Sequence, residues 1–357
     1  METIGRNFYL LRSGERDFHR NIYIKVFRKE EVQLVMVMDP GTKLDLEMIV
    51  DAMRELAGCV ENLDIIFLSH QDPDVSANVL ALLSLAPRAV IISSVDTLRL
   101  IKMYGVDEKK LKGVEPISRR IITLKKTGHK IQFVPAYFCH FRGSTMFFDL
   151  ESRVLYSGDF LAGFNTRKGE GVYANSESWK GISIFHQIYM PTRWALQETV
   201  ARITLLNPMP EVIAPQHGDV IKGELVFEFL NKISRLEVGL DLMKKFEPEK
   251  KLLSSALNDF LRSLGQKFPL LRKKLLKDLK EVGNFTPLFV FSNEKIEDIK
   301  VSTRDALEYV WNTLERISPL RDLEEIRGLF GMSLEKFGLT PPSWILEEVQ
   351  EEDLFEL

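Results

Sequence analysis

The sequence predicts an α/β protein in which two β-sheets stack between outer helices, followed by a mostly helical C-terminal appendage. Two observations lead to this fold class. First, β-prone runs and helical patterns follow one another in the order β-meander, βαβα, β-meander and αβ. Second, the final third of the chain carries mainly amphipathic helical patterns. We therefore expect one domain over residues 1–245 and a helical domain, to which the sequence assigns no role, over residues 246–357.

The composition is that of a soluble globular protein. The 357 residues are 45% hydrophobic and 28% charged, with a formal net charge of -3. No basic tract suited to nucleic acid or to a membrane surface stands out. The first residues carry early charges and no long apolar core, so we expect no signal peptide. Two cysteines, Cys59 and Cys139, are too few for a disulfide framework, and a cytoplasmic location is the expectation.

The first half of the predicted sandwich begins with a meander and continues with strands and helices in alternation. A turn is predicted at Asp39-Pro40-Gly41, between the meander and the first helix. The predicted strands are Asn7–Leu11, Asn21–Arg28, Val32–Met38, Ile65–Leu68 and Ala89–Ile92. The predicted helices are Leu44–Leu56, one beginning near Ala77, and Ser94–Tyr104.

The second half repeats the meander and ends with a helix and a buried strand. A loop rich in Gly, Asn and Ser is predicted from Gly163 to Gly181, before a helix over Pro191–Leu206. The predicted strands are Ile121–Leu124, Lys130–Pro135, Ser144–Asp149, Arg153–Tyr156 and Glu211–Ala214.

The C-terminal region carries one strand-like run, Leu288–Phe291, and an acidic tail over residues 347–357. Its predicted helices are Leu225–Phe246, Lys251–Leu264, Leu270–Val282, Thr303–Ile317, Leu320–Leu329 and Leu334–Phe337.

The strongest chemical signal is the stretch His70-Gln71-Asp72-Pro73-Asp74, which lies between a buried strand and a helix start. An imidazole and two carboxylates packed so closely suit a divalent metal ion. A helix N-terminus also favours anionic side chains.

Three further candidate ligands follow predicted strands in the same way: His140, Asp159 and His217. Strand ends of a sandwich gather at one edge of the sheets. Three imidazoles and three carboxylates would fill two metal coordination spheres, with one carboxylate bridging. We expect the remaining histidines, His19, His129 and His186, to be non-ligands, although His186 could border the pocket.

These motifs resemble the metallo-β-lactamase fold and, within it, the flavodiiron proteins, which are oxygen and nitric oxide reductases. The resemblance covers roughly residues 5–245. The matching segments are His70-Gln71-Asp72-Pro73-Asp74, His140 before Ser144-Thr145-Met146-Phe147, Ser157-Gly158-Asp159, and Ala214-Pro215-Gln216-His217-Gly218.

The resemblance implies a diiron centre. One iron would be held by His70, Asp72 and His140, and the other by Asp74 and His217, with Asp159 bridging. It further implies dioxygen or nitric oxide as the ligand, and a homodimer as the assembly.

The sequence departs from the family pattern at three points. Val75 stands where many members have a histidine, and the acid at Asp72 is one methylene shorter than the family's glutamate. In flavodiiron proteins a flavodoxin domain follows, but the region Lys250–Asp259 is predicted to be helical. We therefore expect no FMN in this chain, and an external redox or signalling protein as the partner.

Three functions remain open on the sequence. The chain could bind dioxygen as a sensor or scavenger, or reduce it with electrons from a separate donor, so enzymatic turnover is undecided. It could instead be a dinuclear zinc or manganese hydrolase of an ester or phosphoester, or a fold kept only for interaction. The carboxylate at Asp72, where zinc hydrolases of this fold carry a histidine, favours iron.

Overall fold

The structure, a computed structural model, describes residues 1–117, 120–167, 171–243, 247–283 and 287–343. It divides into two compact units, Met1–Asp241 and Leu242–Leu357. The predicted boundary between residues 245 and 246 and the predicted acidic tail over residues 347–357 lie outside the described residues. No helix in the described parts is long and apolar enough to cross a membrane.

The first sheet of unit 1 has seven strands in sequential order. The first four pair antiparallel, whereas β4 to β7 pair parallel through helical crossovers. The strands are β1 (Glu2–Gly5), β2 (Phe8–Glu15), β3 (Phe18–Lys29), β4 (Val32–Met38), β5 (Ile65–Phe67), β6 (Val90–Ser93) and β7 (Leu111–Gly113).

The second sheet has six strands in the order β13-β12-β11-β10-β9-β8. Only β11 and β12 pair parallel, and the other neighbours are antiparallel. The strands are β8 (Ile121–Thr123), β9 (Lys130–Pro135), β10 (Thr145–Asp149), β11 (Val154–Gly158), β12 (Val212–Pro215) and β13 (Ile221–Lys222).

Helices cover the outer face of each sheet. Those beside the first sheet are α1 (Leu46–Ala57), α2 (Pro73–Ser76), α3 (Val79–Leu85) and α4 (Val95–Ile101). Those that follow the strands of the second sheet are α5 (Ser178–Tyr189), α6 (Arg193–Thr204), α7 (Glu224–Ile233) and α8 (Leu240–Met243).

Three apolar layers hold this sandwich together, because successive strand residues face opposite sides of a sheet. On β3, Ile22 and Ile24 pack against the helices of the first sheet. Tyr23 and Phe27 instead pack between the two sheets, with Phe147 of β10. Ile213 of β12 belongs to the third layer, under α5 to α7. The predicted α/β sandwich with helices on both outer faces is confirmed.

Unit 2 is mostly helical and has its own apolar core. Its helices are α9 (Glu247–Lys267), α10 (Pro269–Glu281), α11 (Thr303–Ile317) and α12 (Leu323–Lys336). Between α10 and α11 lies an antiparallel hairpin of β14 (Phe289–Ser292) and β15 (Lys295–Ile299). The second strand of this hairpin was not predicted.

Three predicted segments differ from the structure. Helix α5 occupies the end of the predicted loop and the residues beyond it. The predicted helix Leu225–Phe246 ends at Ile233, and α8 begins after Gly239, whose φ of 47° does not continue a helix. The two short helices predicted between Leu320 and Phe337 are largely one helix, α12.

Candidate metal centre

Five loops carry polar side chains to one edge of the sandwich. The carboxyl ends of β4 and β5 in the first sheet deliver Asp39 and His70. In the second sheet, β11 and β12 run parallel, with Gly158 opposite Pro215, so Asp159 and His217 emerge side by side. His140 lies on the β9–β10 connection. The edge gathers all six candidate ligands predicted from the sequence: His70, Asp72, Asp74, His140, Asp159 and His217.

The first group consists of His70, Asp72 and His140, whose potential ligand atoms all lie within 4.8 Å of one another. His140 Nε2 lies 3.1 Å from Asp72 Oδ2, and His70 Nε2 lies 3.6 Å from the same oxygen. The shorter acid at position 72 therefore reaches both rings. Among the described residues this is the one such group of three.

The second group is Asp74 and His217. The Asp74 Oδ2 atom lies 3.1 Å from His217 Nε2. The Gln216 side chain amide approaches the same carboxylate oxygen at 3.3 Å. This group is smaller than the first and depends on Asp159 for a third side chain.

Asp159 joins the two groups through its two carboxylate oxygens. Its Oδ2 lies 3.5 Å from His70 Nε2 and 3.3 Å from His140 Nε2. Its Oδ1 faces the other way and lies 3.8 Å from His217 Nε2. One oxygen of Asp159 thus faces each group.

The spacing of these atoms fits metal ions. Two ligands about 2.1 Å from one ion and about 90–110° apart are separated by about 3.0–3.4 Å, which is close to the spacing of the first group. Asp159 Oδ1 is also buried without a hydrogen-bond partner among the described residues. A buried acceptor left in this way is rare unless a missing ion or water satisfies it.

The pKa values of the two histidines are also consistent with a metal site. Burial alone would lower the pKa of His70, but the carboxylates of Asp159, Asp72 and Asp39 outweigh it and raise the pKa to about 9. Burial would likewise lower the pKa of His217, yet Asp74 and Asp159 raise it. The metal-free chain therefore gathers protons where metal charge would otherwise balance the carboxylates.

The acids of the two groups shift in the opposite direction. Burial would raise the pKa values of Asp72 and Asp74, but hydrogen bonds from the neighbouring histidines outweigh it and lower both. Asp72 is further oriented by Gln71, whose amide donates to Oδ1 at 2.8 Å and leaves Oδ2 facing the rings. Both acids are thus held ionised, as metal ligation requires.

The His217 ring is fixed on two sides. Its Nδ1 donates to the main-chain oxygen of His19 at 2.8 Å, which leaves Nε2 for a metal ion. Phe18 stacks on the ring, with centroids 4.2 Å apart and planes 16° apart. Phe185 packs beside it at 5.8 Å, and Tyr189 lies 6.1 Å from the His140 ring. Aromatic side chains therefore form one wall of the site.

Two residues that stood out near the site in the sequence, Val75 and His186, have structural roles instead. Val75 is fully buried in the core under the first sheet, so no side chain from this position reaches the site. His186 uses both ring nitrogens inside the protein, because Nδ1 bonds Ile182 O and Nε2 accepts from Leu161 N–H. Burial accordingly lowers the pKa of His186 to about 4.

The sequence did not identify the residues behind His70. Asp39 was predicted only as a turn residue and Tyr156 only as the end of a strand, and Ser69 lies between a predicted strand and the His70 motif. The structure places the Asp39 carboxylate against both hydroxyls. One signal was available: a carboxylate directly after a buried strand must find hydrogen-bond donors.

One protein family, the ODP family beta lactamase, matches residues 18–218 of the chain. No curated protein sequence matches the chain.

Solved structures similar to this chain include two of the chemotaxis sensor ODP. The structure titled as its peroxy diiron species has 26% identity and a TM-score of 0.54, and the match covers 67% of this chain and 99% of that one. Its apo state from T. denticola has 27% identity and a TM-score of 0.54, with 68% and 100% covered. Rubredoxin oxygen:oxidoreductase from Desulfovibrio gigas has 13% identity and a TM-score of 0.57, with 74% and 69% covered, a likeness of fold alone. The predicted metallo-β-lactamase-like fold is confirmed.

Proposed function

The chain belongs to the ODP family of beta lactamases, and on that premise we propose that it is a non-haem diiron protein that binds dioxygen, with nitric oxide as an alternative ligand. The observation that carries the proposal is the pair of side-chain groups joined by Asp159. The similar structures of a chemotaxis sensor, one of them titled as a diiron species, support the same function.

In this proposal each iron position has its own side chains. His70, Asp72 and His140 would hold one iron, Asp74 and His217 would hold the other, and Asp159 would serve both. Three carboxylates give the site a hard, anionic character that suits iron better than zinc. When bound, a pair of ferrous ions supplies two electrons, whereas reduction of dioxygen to water needs four, so repeated turnover requires an external electron donor.

The protein around the site favours a small apolar ligand. Phe18, Phe185 and the stacked His217 ring line one side of the site and exclude water there. Dioxygen and nitric oxide carry no charge and few hydrogen-bonding groups, so a dry wall of this kind costs them little desolvation. A phosphoester substrate would instead need cationic or polar donors.

We assign the chain a sensory role, with a signalling or redox protein as partner. The name of the similar sensor supports this choice over a reductase. Exposed aromatic side chains near the site, those of Tyr137, Phe138 and Tyr189, offer apolar surface for such a partner. We also propose a homodimer, which light scattering coupled to gel filtration measures directly.

The test is anaerobic loading of the full chain with ferrous iron, followed by desalting and iron analysis. We expect about two irons per chain and a change in the optical spectrum on exposure to dioxygen. With added reductant, slow oxygen consumption identifies a sensor, whereas fast repeated consumption identifies a reductase.

Two outcomes would overturn the proposal. One is an absence of iron uptake with tight zinc or manganese binding and turnover of an ester or phosphoester, which identifies a hydrolase. The other is an absence of any metal uptake, which leaves a fold used only for interaction.

A further inference from the structure

Asp39 is a buried carboxylate that does not belong to either group of candidate ligands. It follows β4 with a φ of 45° and is only 1% exposed. Its Oδ1 accepts the Ser69 main-chain N–H at 2.7 Å, and its Oδ2 accepts the hydroxyls of Ser69 and Tyr156. Among the described residues no Lys or Arg pairs with it. Burial of an unpaired carboxylate costs free energy, and these three hydrogen-bond donors offset that cost.

A count of protons fixes the direction of the next hydrogen bond. The Ser69 hydroxyl has one proton, which it donates to Asp39, because an ionised carboxylate only accepts. The Ser69 oxygen lies 2.9 Å from His70 Nδ1 and can therefore offer only a lone pair. His70 Nδ1 must carry the proton of that bond. Nε2 faces Asp72 and Asp159 and is therefore the ring nitrogen that can exchange its proton for a metal ion.

We infer that Asp39 is a positioning residue that acts through Ser69 to keep His70 protonated at Nδ1, so that Nε2 is the nitrogen left for a metal ion, and that Tyr156 holds Asp39 in place. The inference rests on the proposed function, since it concerns the readiness of His70 for metal. Asp39 and Tyr156 lie on different sheets, so the chain of hydrogen bonds also ties the two sheets together behind the site.

The surrounding backbone leaves space for this arrangement. Gly158 has a φ of 56°, and a Cβ there would lie 2.7 Å from Ser69 Cβ. Any other residue at Gly158 would push Ser69 away from its position between Asp39 and His70. The same segment delivers Asp159, so one glycine serves both the bridging acid and the serine behind His70.

Loss of the Asp39 carboxylate should reverse these hydrogen bonds. In Asp39→Asn the amide can donate a proton to Ser69, which frees the serine hydroxyl to donate to His70 Nδ1. Nδ1 then accepts this hydrogen bond, so the ring keeps its proton on Nε2, which opposes metal binding there. Changes in residues that orient ligands typically lower metal affinity about 10–100-fold.

The experiment compares the full chain with Asp39→Asn, Ser69→Ala and Tyr156→Phe. Ser93→Ala is the matched control, because it deletes a buried serine hydroxyl that donates to a main-chain oxygen, Leu68 O at 2.7 Å. Zinc is the diamagnetic probe, and its affinity is measured against a competing chelator. Long-range proton–nitrogen NMR of the histidine rings in the zinc-loaded proteins reports which ring nitrogen carries the proton.

In the unmodified chain we expect a hydrogen-bonded Nδ1 proton on both His70 and His217. Asp39→Asn and Ser69→Ala should shift or abolish the His70 signal, leave that of His217 unchanged, and weaken the tighter zinc site about 10–100-fold. Tyr156→Phe should have a smaller effect in the same direction, and Ser93→Ala none.

Equal zinc affinities and an unchanged His70 signal in Asp39→Asn and Ser69→Ala would overturn the inference. If Asp39→Asn does not fold, Ser69→Ala alone decides, because it removes the hydroxyl that joins the Asp39 carboxylate to His70 Nδ1. Failure of the unmodified chain to take up iron would count against the proposed function instead, so the two failures are distinguishable.

Discussion

The two halves of the candidate metal centre, the His70 group and the His217 group, orient their histidines by different means. His70 is oriented by a chain of side chains, Ser69 and Asp39, whereas His217 is oriented by a main-chain carbonyl and a stacked phenyl ring. The first half is also the more compact group, because one potential ligand atom from each of its three side chains lies within 4.8 Å of the other two. A main-chain acceptor cannot be removed by substitution. We therefore expect substitutions at Ser69 or Asp39 to disturb His70, whereas no single substitution removes the acceptor that orients His217.

The largest effect is expected where the two halves meet. Asp159→Asn removes the shared carboxylate and should lower iron content from about two to less than about one per chain, because a neutral amide cannot bridge two cations. Iron analysis after anaerobic loading measures this.

Asp64→Asn is the control for that substitution, because Asp64 accepts from Val35 N–H at 2.9 Å and belongs to neither group. Retention of about two irons by Asp159→Asn would show that the halves are independent.

Single ligand substitutions separate the two halves. We expect His140→Ala to abolish the first, tighter binding event in a titration with cobalt, and His217→Ala to abolish only the second. The reason is that three protein side chains besides Asp159 serve the first position and two serve the second. Visible absorption of bound cobalt follows both events, and identical titrations of the two variants would contradict the proposed difference.

The pH dependence of the metal-free chain reports mainly on the first half. The folded-state pKa of His70 is raised to about 9, above the unfolded value near 6.5. Its contribution to stability is therefore complete below about pH 6.5 and is lost as the pH rises toward 9.

Calorimetric unfolding of the chelator-treated chain should show a transition temperature that falls between pH 6.5 and 9. The zinc-loaded chain should not share this fall, because metal ions replace the protons and bind more tightly as the pH rises. A flat profile for the metal-free chain would argue against the protonated site.

The smallest effect is expected from the ring that supports His217. Phe18→Leu removes an aromatic contact worth about 0.5–1.5 kcal/mol, so the second metal should bind about 2- to 10-fold more weakly and the first unchanged. Cobalt titration measures both steps. Phe164→Leu is the matched control, since Phe164 packs against Phe18 with centroids 5.3 Å apart but is not paired with His217. Equal effects of both variants would indicate general loosening of the core.

Local pattern was sufficient for most of the sandwich but not for helix α5. Gly181 lies inside α5, and a Cβ there would lie 1.9 Å from the Phe164 carbonyl oxygen. The glycine that suggested a loop is thus required for close packing of the helix. In unit 2, β15 was missed because its sequence is rich in charge, and its pairing with β14 is what makes it a strand.

The aromatic residues near the site also show what local pattern predicts and what only tertiary contacts decide. Phe147 and Phe148 follow His140 in the sequence, but they pack in the cores between and beneath the sheets. The rings that contact the site histidines come from Phe18 and Phe185, which are far from the ligand motifs in the chain. Contacts between separate strands and helices are invisible to local pattern.

Local sequence patterns were enough to predict most strands of the sandwich, its fold class and the six side chains that gather at one edge. Those properties are local, since strand propensity, turns and motif spacing act over a few residues. Tertiary structure alone established that the oxygens of Asp159 face two different groups, and that Asp39 reaches His70 through Ser69. The physical reason is that these contacts join residues 30 to 117 positions apart in the chain. Strand register and sheet stacking bring such residues to hydrogen-bonding distance, and local sequence patterns do not contain that information.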